Sequence, residues 1–312
     1  MDAKTPAISV VMPVFNRQSV IGKAVHSVLA QDFEDFELIV VDDGSTDGSA
    51  EAAGTFRDPR LRIIVLPKNA GGNAARNRGI EAARAPLIAF LDSDDTYLQH
   101  KLGFTVRYFA EHPDVDVLLD SFVKHYPDRK AADLELRNPV LVGNEEILKA
   151  LFNRKIWKAT PGIAVRRDAA IRSGMFDEDL TRRQDFDFIL RLAKVARLAS
   201  SDEVSWVKNY TADTISGGLG NFASSTIEFY RRHPEYYSNP AYRDGFAHDI
   251  GRHFARLFKR REFGLMVRDA RTLGAEIGWR RLILLATRGV GLFKTRRRAL
   301  QPDPQAVETP RR

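Results

Sequence analysis

The sequence predicts an α/β protein built on a mostly parallel sheet, with helices on both faces and a helical C-terminal extension. Short apolar runs alternate with helix-patterned segments from Ile8 to Leu91, the pattern of βαβ units feeding a Rossmann-like parallel sheet. Two of those runs end in aspartates. In open α/β sheets, ligands bind outside the carboxyl ends of the strands, so these acids mark the edge to watch.

The elements follow in order. Ile8-Ser9-Val10-Val11-Met12 is a β-branched run that Pro13 is expected to stop. Ser19 is placed to cap a helix whose apolar residues Ile21, Ala24, Val25, Val28 and Leu29 recur at helical spacing. Leu38 to Val41 reads as a second buried strand, ended by Asp42-Asp43-Gly44-Ser45-Thr46-Asp47. Asp47 is expected to cap a short helix starting near Ser49. Leu61 to Leu66 forms the third strand, and Asn73 opens an alanine-rich helix through about Ala83. Leu87 to Leu91, entered through Pro86, is the fourth strand, and Asp92-Ser93-Asp94-Asp95 closes it.

Three carboxylates in four residues repel one another unless a cation offsets their charge. Hard ions such as Mg²⁺ or Mn²⁺ take oxygen ligands and bridge one or two carboxylates to a substrate's phosphates. Taken alone, the same run also fits a solvated acidic turn. In a parallel sheet, however, the ends of strands two and four lie on one edge. Asp42 and Asp43 are therefore expected to converge with Asp92 and Asp94 across a long stretch of chain. The first strand–helix junction, Pro13-Val14-Phe15-Asn16-Arg17, lacks G-x-G-x-x-G, and no G-x-x-x-x-G-K-[ST] occurs. A dinucleotide-binding dehydrogenase and a P-loop NTPase are thereby disfavoured.

Composition narrows the field further. With 312 residues and no cysteine, the chain can bury a real core but has no disulfide, thiolate metal site or cysteine nucleophile. Of the net charge of +7, nine Lys/Arg against two Asp/Glu from Arg280 onward account for all. The body is balanced, so no nucleic-acid-binding face is expected on it. Neither a signal peptide nor an apolar run of the ~18 residues needed to span a bilayer is visible.

With these pieces in place, the N-terminal part resembles the family 2 glycosyltransferases, inverting enzymes with the A-type glycosyltransferase fold. The match rests on Val10-Val11-Met12-Pro13-Val14-Phe15-Asn16, on Val40 to Asp47, on the run NAGGNAARNRG from Asn69 to Gly79, and on Phe90 to Asp95. A weaker match continues through Arg166-Arg167, Gly174 to Glu178 and Gln184 to Asp187. The resemblance implies a catalytic domain over residues 1–220, with a nucleotide-binding half at about 1–118 and an acceptor half at about 119–220. Residues 221–312 form a basic helical extension whose last, Pro-rich stretch from Gln301 is expected to be disordered.

Family roles then fall on matching positions. Pro13, Val14, Phe15, Asn16 and Asp42 would hold the nucleobase, with Asp42 accepting the ring N–H of a uracil. Asp43 would hold the turn with Gly44 and Ser45. Arg76 would contact the diphosphate or hold the neighbouring loop. Asp92 would touch the ribose or the metal, and Asp94 would ligate Mn²⁺ or Mg²⁺. The general base would be Asp185, in the first turn of a helix carrying Phe186, Ile189, Leu190 and Ala193, where a negative charge is favoured. Asp187 competes with it but points to a different face.

The chain departs from the family twice. Gln184 stands where a Glu is usual. The segment Val207 to Ser216 has no histidine, only Tyr210 and Thr211 in that neighbourhood. Asp120 to Pro139 is polar and irregular, as expected of a loop on the acceptor side, and Trp157 is placed either to line the sugar site or to fill core. Trp279, Leu282 to Leu285, Val290, Leu292 and Phe293, interleaved with Arg280, Arg281, Arg288, Lys294 and Arg296 to Arg298, read as a basic amphipathic element. It suits an anionic membrane interface or a helix packed on the body.

The resemblance thus implies a metal-dependent transferase with a nucleotide-diphosphate sugar donor, UDP-linked, and a saccharide or lipid-linked acceptor. It would work in cell-surface polysaccharide or lipopolysaccharide assembly, in the cytoplasm or on the inner face of the cell membrane. A catalytically silent nucleotide-sugar-binding subunit is the alternative. A sugar-nucleotidyltransferase would carry a glycine-rich, Arg-containing first loop, which is absent here.

Overall fold

The computed structural model describes residues 4–126, 132–180, 182–210, 221–235, 239 and 242–299. Its contacts divide the chain into two units, Met1–Thr214 and Ile215–Arg312.

The first unit is a ten-stranded sheet of order β3-β2-β1-β4-β9-β6-β10-β5, with β7 beside β6 and β8 beside β10. Strands β1 (Ile8–Val14), β2 (Phe36–Asp42), β3 (Leu61–Val65) and β4 (Leu87–Phe90) are mutually parallel. Helices α1 (Ile21–Leu29), α2 (Ser49–Gly54) and α3 (Gly72–Ala82) connect them. β1, β2 and β4 are buried along their whole length, which is why they read as unbroken apolar runs. On the other side of β4, β9 (Ile163–Arg166) runs antiparallel to both β4 and β6 (Val117–His125). β6 is parallel to β10 (Leu198–Asn209). Short strands β5 (Thr96–Tyr97), β7 (Leu134–Leu136) and β8 (Leu141–Val142), with helices α4 (Lys101–Glu111), α5 (Asn144–Phe152), α6 (Arg167–Arg172) and α7 (Gln184–Leu192), complete it.

Three local expectations change. Pro13 does not stop β1: it pairs in register with Val41, and the strand runs on to Val14. β4 pairs with β1 only as far as Val11. Pro13 faces that vacated side, so its missing N–H leaves no ladder bond unmade. Ser19 does not cap α1, whose N-cap is Val20 without a side-chain bond. Asp120 is not in a loop but lies inside β6, 1% exposed. Its charge is met by the fully buried Lys101 of α4 through an ion pair, a partner no local pattern reveals.

Two glycines of the N-terminal motifs have steric reasons. A Cβ on Gly79 would fall 2.3 Å from Val11 Cγ1, so glycine lets α3 lie directly on β1. Gly44 has φ +72° and its Cβ would meet the Lys68 backbone at 2.7 Å, where only glycine fits without strain.

The second unit is helical: α8 (Phe222–Arg232), α9 (Arg243–Lys259), α10 (Phe263–Ile277) and α11 (Trp279–Ala299). Phe222 stacks on His253 at 3.8 Å between centroids, and His253 Nε2 lies 2.7 Å from Asp269 Oδ2. Gly289 lets α11 approach α9 so closely that a Cβ there would overlap the Ala247 carbonyl. The Pro-rich stretch from Gln301 lies outside the described residues.

Candidate functional site

Strand register places the acids. Val14 is level with Asp42, and Val11 is level with Phe90, so Asp42 and the residues just past Phe90 emerge at one carboxyl edge. The positive field of Arg17, from the junction after β1, reaches Asp94.

At the end of β2, Asp42 is 1% exposed. Its Oδ1 accepts the Ser45 N–H at 2.6 Å, whereas its buried Oδ2 has no hydrogen-bond partner among the described residues. Asp43 does not hold the Gly44–Ser45 turn; it accepts the N–H groups of Ala70 at 2.7 Å and Gly71 at 2.8 Å, fastening the loop before α3. Pro13 and Val14 are buried in β1, Phe15 is 42% exposed, and Asn16 adopts φ 52°. The Asn16 side chain accepts the Thr46 N–H at 2.9 Å, and its own N–H donates to Ser45 Oγ at 3.0 Å. The junction after β1 is thereby laced to the loop after β2. Asp47 accepts the Ser49 N–H at 3.1 Å and the Gln18 N–H at 3.0 Å, but it is not the cap expected of it: the N-cap of α2 is Gly48, without a side-chain bond.

At the end of β4, Asp92 Oδ1 accepts from Arg76 Nη2 at 2.7 Å, with the arginine side chain 9% exposed. This is a largely buried pair, so Arg76 both holds the acidic loop and brings a cation to it. Burial, with the Asp92 charge beside it, pushes the Asp94 carboxyl up from the ordinary range. Asp95 is buried and accepts the Asn209 N–H at 2.9 Å, and Asn209 Nδ2 donates to the Asp94 carbonyl at 3.0 Å. Lys208 Nζ stands 3.6 Å from Asp95 Oδ2. Burial opposes the lysine's charge, but Asp95, Asp92, Tyr210 and Asp94 together hold it well above the usual lysine range, while burial pushes the Asp95 carboxyl up against the pull of Lys208.

Asp92 and Asp94 suit a divalent cation: they are two neighbouring carboxylates, the second already burdened by burial and by the first. Among the described residues no group of three His, Asp or Glu converges to hold a metal alone. An ion on Asp92 and Asp94 would take its remaining ligands from a diphosphate and water.

Asp185 lies in the first turn of α7, and its Oδ1 accepts the Phe186 N–H at 2.8 Å. One turn on, Phe188 packs edge-on to Phe90 at 6.1 Å, with Phe176 against both. This aromatic trio seats α7 against β4. The competitor Asp187 is buried and binds Arg191 Nε at 2.8 Å, so it is occupied structurally.

Several participants went unnoticed in the sequence. Asn73 Nδ2 donates to the carbonyls of Asp177 and Leu180. Asn77 Nδ2 donates to the Phe176 carbonyl, and Asn77 Oδ1 accepts the Phe176 N–H. The asparagines of NAGGNAARNRG therefore clamp the Phe176–Leu180 loop, a hundred residues on; their regular spacing was the only hint. Lys208 and Asn209 had no sequence signal beyond lying in the segment that lacks a histidine. Tyr210 stacks on Tyr126 at 4.7 Å, while Thr211 to Ser216 lie outside the described residues. Trp157 is half-buried, with Lys124 Nζ 5.3 Å from its ring centroid.

The mostly parallel sheet flanked by helices matches the A-type glycosyltransferase fold. S. aureus TarS in complex with UDP-GlcNAc has a similar fold, with TM-score 0.66, 19% identity, and coverage of 94% of this chain and 92% of that one. The Pyrobaculum calidifontis mannosyltransferase PcManGT in complex with GDP-Man and Mn²⁺ is also similar, with TM-score 0.58, 18% identity, and coverage of 92% and 88%. The model of glycosyl transferase family 2 matches residues 9–174. The chain belongs to this family. Succinoglycan biosynthesis protein ExoO of Rhizobium meliloti is 42% identical over 223 residues, 68% of this chain and 63% of ExoO. The uncharacterized glycosyltransferase EpsJ of Bacillus subtilis is 32% identical over 209 residues, 64% of this chain and 59% of EpsJ. The chain thus spans less than two thirds of the length of these relatives.

Proposed function

We propose that this chain is an inverting glycosyltransferase that moves a sugar from a nucleotide-diphosphate donor, UDP-linked, to a saccharide or lipid-linked acceptor. The process would be assembly of a cell-surface polysaccharide. The carrying observation is the buried, unpartnered Asp42 Oδ2 on the same sheet edge as the Asp92–Asp94 pair. An orphaned carboxylate oxygen is costly unless a ligand donates to it, and the ring N–H of uracil is such a donor. In support, relatives are named for succinoglycan and teichuronic acid biosynthesis, and structures of similar fold hold UDP-GlcNAc or GDP-Man.

In this reading Asp94, with Asp92, would hold Mn²⁺ or Mg²⁺, which when bound would supply Lewis-acid neutralisation of the departing diphosphate's charge. Arg76 fixes the orientation of Asp92. Asp185 accepts the proton of the acceptor hydroxyl as its oxygen attacks the anomeric carbon, and the bond from that carbon to the diphosphate oxygen breaks. The residue boundaries of the catalytic domain and its two halves are those given above.

A peripheral position at the inner face of a membrane belongs to the same proposal. Among the described residues no helix is long and apolar enough to cross a membrane. Trp279, Ile283 and Leu284 of α11 are 52%, 59% and 69% exposed, beside the exposed Arg280, Arg281 and Arg288, an arrangement suited to an anionic lipid surface. Leu282 and Leu285 are buried in the same helix, so removing α11 would uncover the core of its unit. Glutamate at 283 and 284 is the cleaner disruption.

The test is calorimetric titration of UDP, GDP and dTDP, with and without Mn²⁺, on wild type and Asp94→Asn. The expected result is UDP binding that needs both Mn²⁺ and Asp94; no binding of any nucleotide would overturn the reading. Asp185→Asn should keep that binding and lower turnover by about 10²–10⁴-fold. Unchanged turnover would remove Asp185 as the base, and absence of any turnover in wild type would favour the silent-subunit alternative.

A further inference from the structure

Near Asp185 the structure places a lysine with no counter-charge of its own, Lys158, in the fields of Arg154 and Arg183. Phe152 at the end of α5 packs on Phe186 at 5.0 Å, bringing the chain after α5 against the start of α7. Lys158 Nζ sits 4.3 Å from the centroid of the same Phe186 ring. Arg154, just past α5, has φ 56°, and Arg183, immediately before α7, has φ 63°. Left-handed backbone is uncommon outside glycine and concentrates at functional sites. Among the described residues Lys158 makes no hydrogen bond or ion pair, with Asp185 or any other group. Burial, aided by the fields of Arg154 and Arg183, pushes its ammonium down to about 8, against the pull of Asp185. Position 184, where a further carboxylate would offset these cations, is the neutral Gln184. A half-buried cation that rests on an aromatic ring and has no counter-charge is costly unless one arrives from outside.

We infer that the acceptor carries an anionic group, a carboxylate or a phosphate, close to the hydroxyl that is glycosylated, and that Lys158 receives it, flanked by Arg154 and Arg183. The inference rests on the proposed function, since it places the acceptor beside Asp185, and it adds the acceptor's charge. Two sources supply such a group: an acidic sugar, or the phosphate of a lipid carrier.

The experiment uses the full chain saturated with UDP and Mn²⁺ and follows probe binding by saturation-transfer NMR and calorimetry. Methyl glucuronide is compared with methyl glucoside, and citronellyl phosphate with citronellol. The expected result is that at least one charged probe binds about tenfold or more tightly than its neutral counterpart. Which pair shows the preference names the source. Lys158→Met should abolish the preference and Lys158→Arg should retain it, with UDP affinity unchanged in both. Equal binding of charged and neutral probes, or a preference surviving in Lys158→Met, overturns the inference while UDP binding leaves the parent reading standing. Loss of UDP binding in wild type would instead bring down the parent reading. If Lys158→Met does not fold, Arg183→Gln carries the same comparison, with the same outcomes deciding it.

Discussion

The acids ending β2 and those ending β4 look alike in sequence, yet they are held by different forces. Asp42 and Asp43 are met by backbone N–H groups of Ser45, Ala70 and Gly71. Asp92 and Asp95 are met by the cations Arg76 and Lys208. Neutral donors fix the shape of a loop and leave one oxygen of Asp42 over for a ligand. Cations compensate charge, and they fall short at Asp94, whose carboxyl burial and Asp92 push up. One edge of the sheet therefore carries a loop held by backbone donors beside a loop held by cations.

Removing a charge partner should reveal the second kind most clearly. Arg76→Met leaves Asp92 without its cation in a largely buried setting, and the expected loss of folding stability is about 3 kcal/mol. Added Mn²⁺ should recover part of it, which thermal or urea unfolding with and without the ion would show. A loss indifferent to Mn²⁺ would mean that the β4 acids are not a cation site. Asp43→Ala is the matching change on the β2 side. It frees two backbone donors in a half-exposed loop, and a loss of about 2 kcal/mol is expected, identical with and without Mn²⁺; any rescue by the ion would erase the contrast.

Asp42→Asn is subtler. The amide can keep the Ser45 bond through its oxygen while turning the unpartnered acceptor into a donor. Stability should move by less than about 1 kcal/mol, and UDP affinity should fall about tenfold. Unaltered UDP affinity in calorimetry would show that Oδ2 does not receive the base.

Much of the site was legible because it depends on local order. Buried strands of a parallel sheet announce themselves as apolar runs, and acids at their ends converge by topology alone. The placement of Asp42, Asp92 and Asp94 at one sheet edge was read that way. Arg76 was found with two roles open, and only its 2.7 Å bond to Asp92 shows what it grips. Asp120 was misjudged as loop because a buried carboxylate reads as polar until its partner Lys101, nineteen residues away, is seen across the fold. Ser19 looked like a helix cap, but capping depends on where the chain turns, and here it turns one residue later, at Val20.

By itself, then, the sequence determined the order of the first four strands and the helices between them, the sheet edge that carries the acids, and the basic, amphipathic character of the last helix. All of these follow from periodicity and composition along the chain. Only the tertiary structure decided which side chains meet: Lys208 with Asp95, Lys101 with Asp120, and Asn73 and Asn77 with the Phe176–Leu180 loop. Electrostatic partners and side-chain clamps act through space over a few ångströms, between residues that sequence separation leaves unrelated. That is why no pattern along the chain could name them.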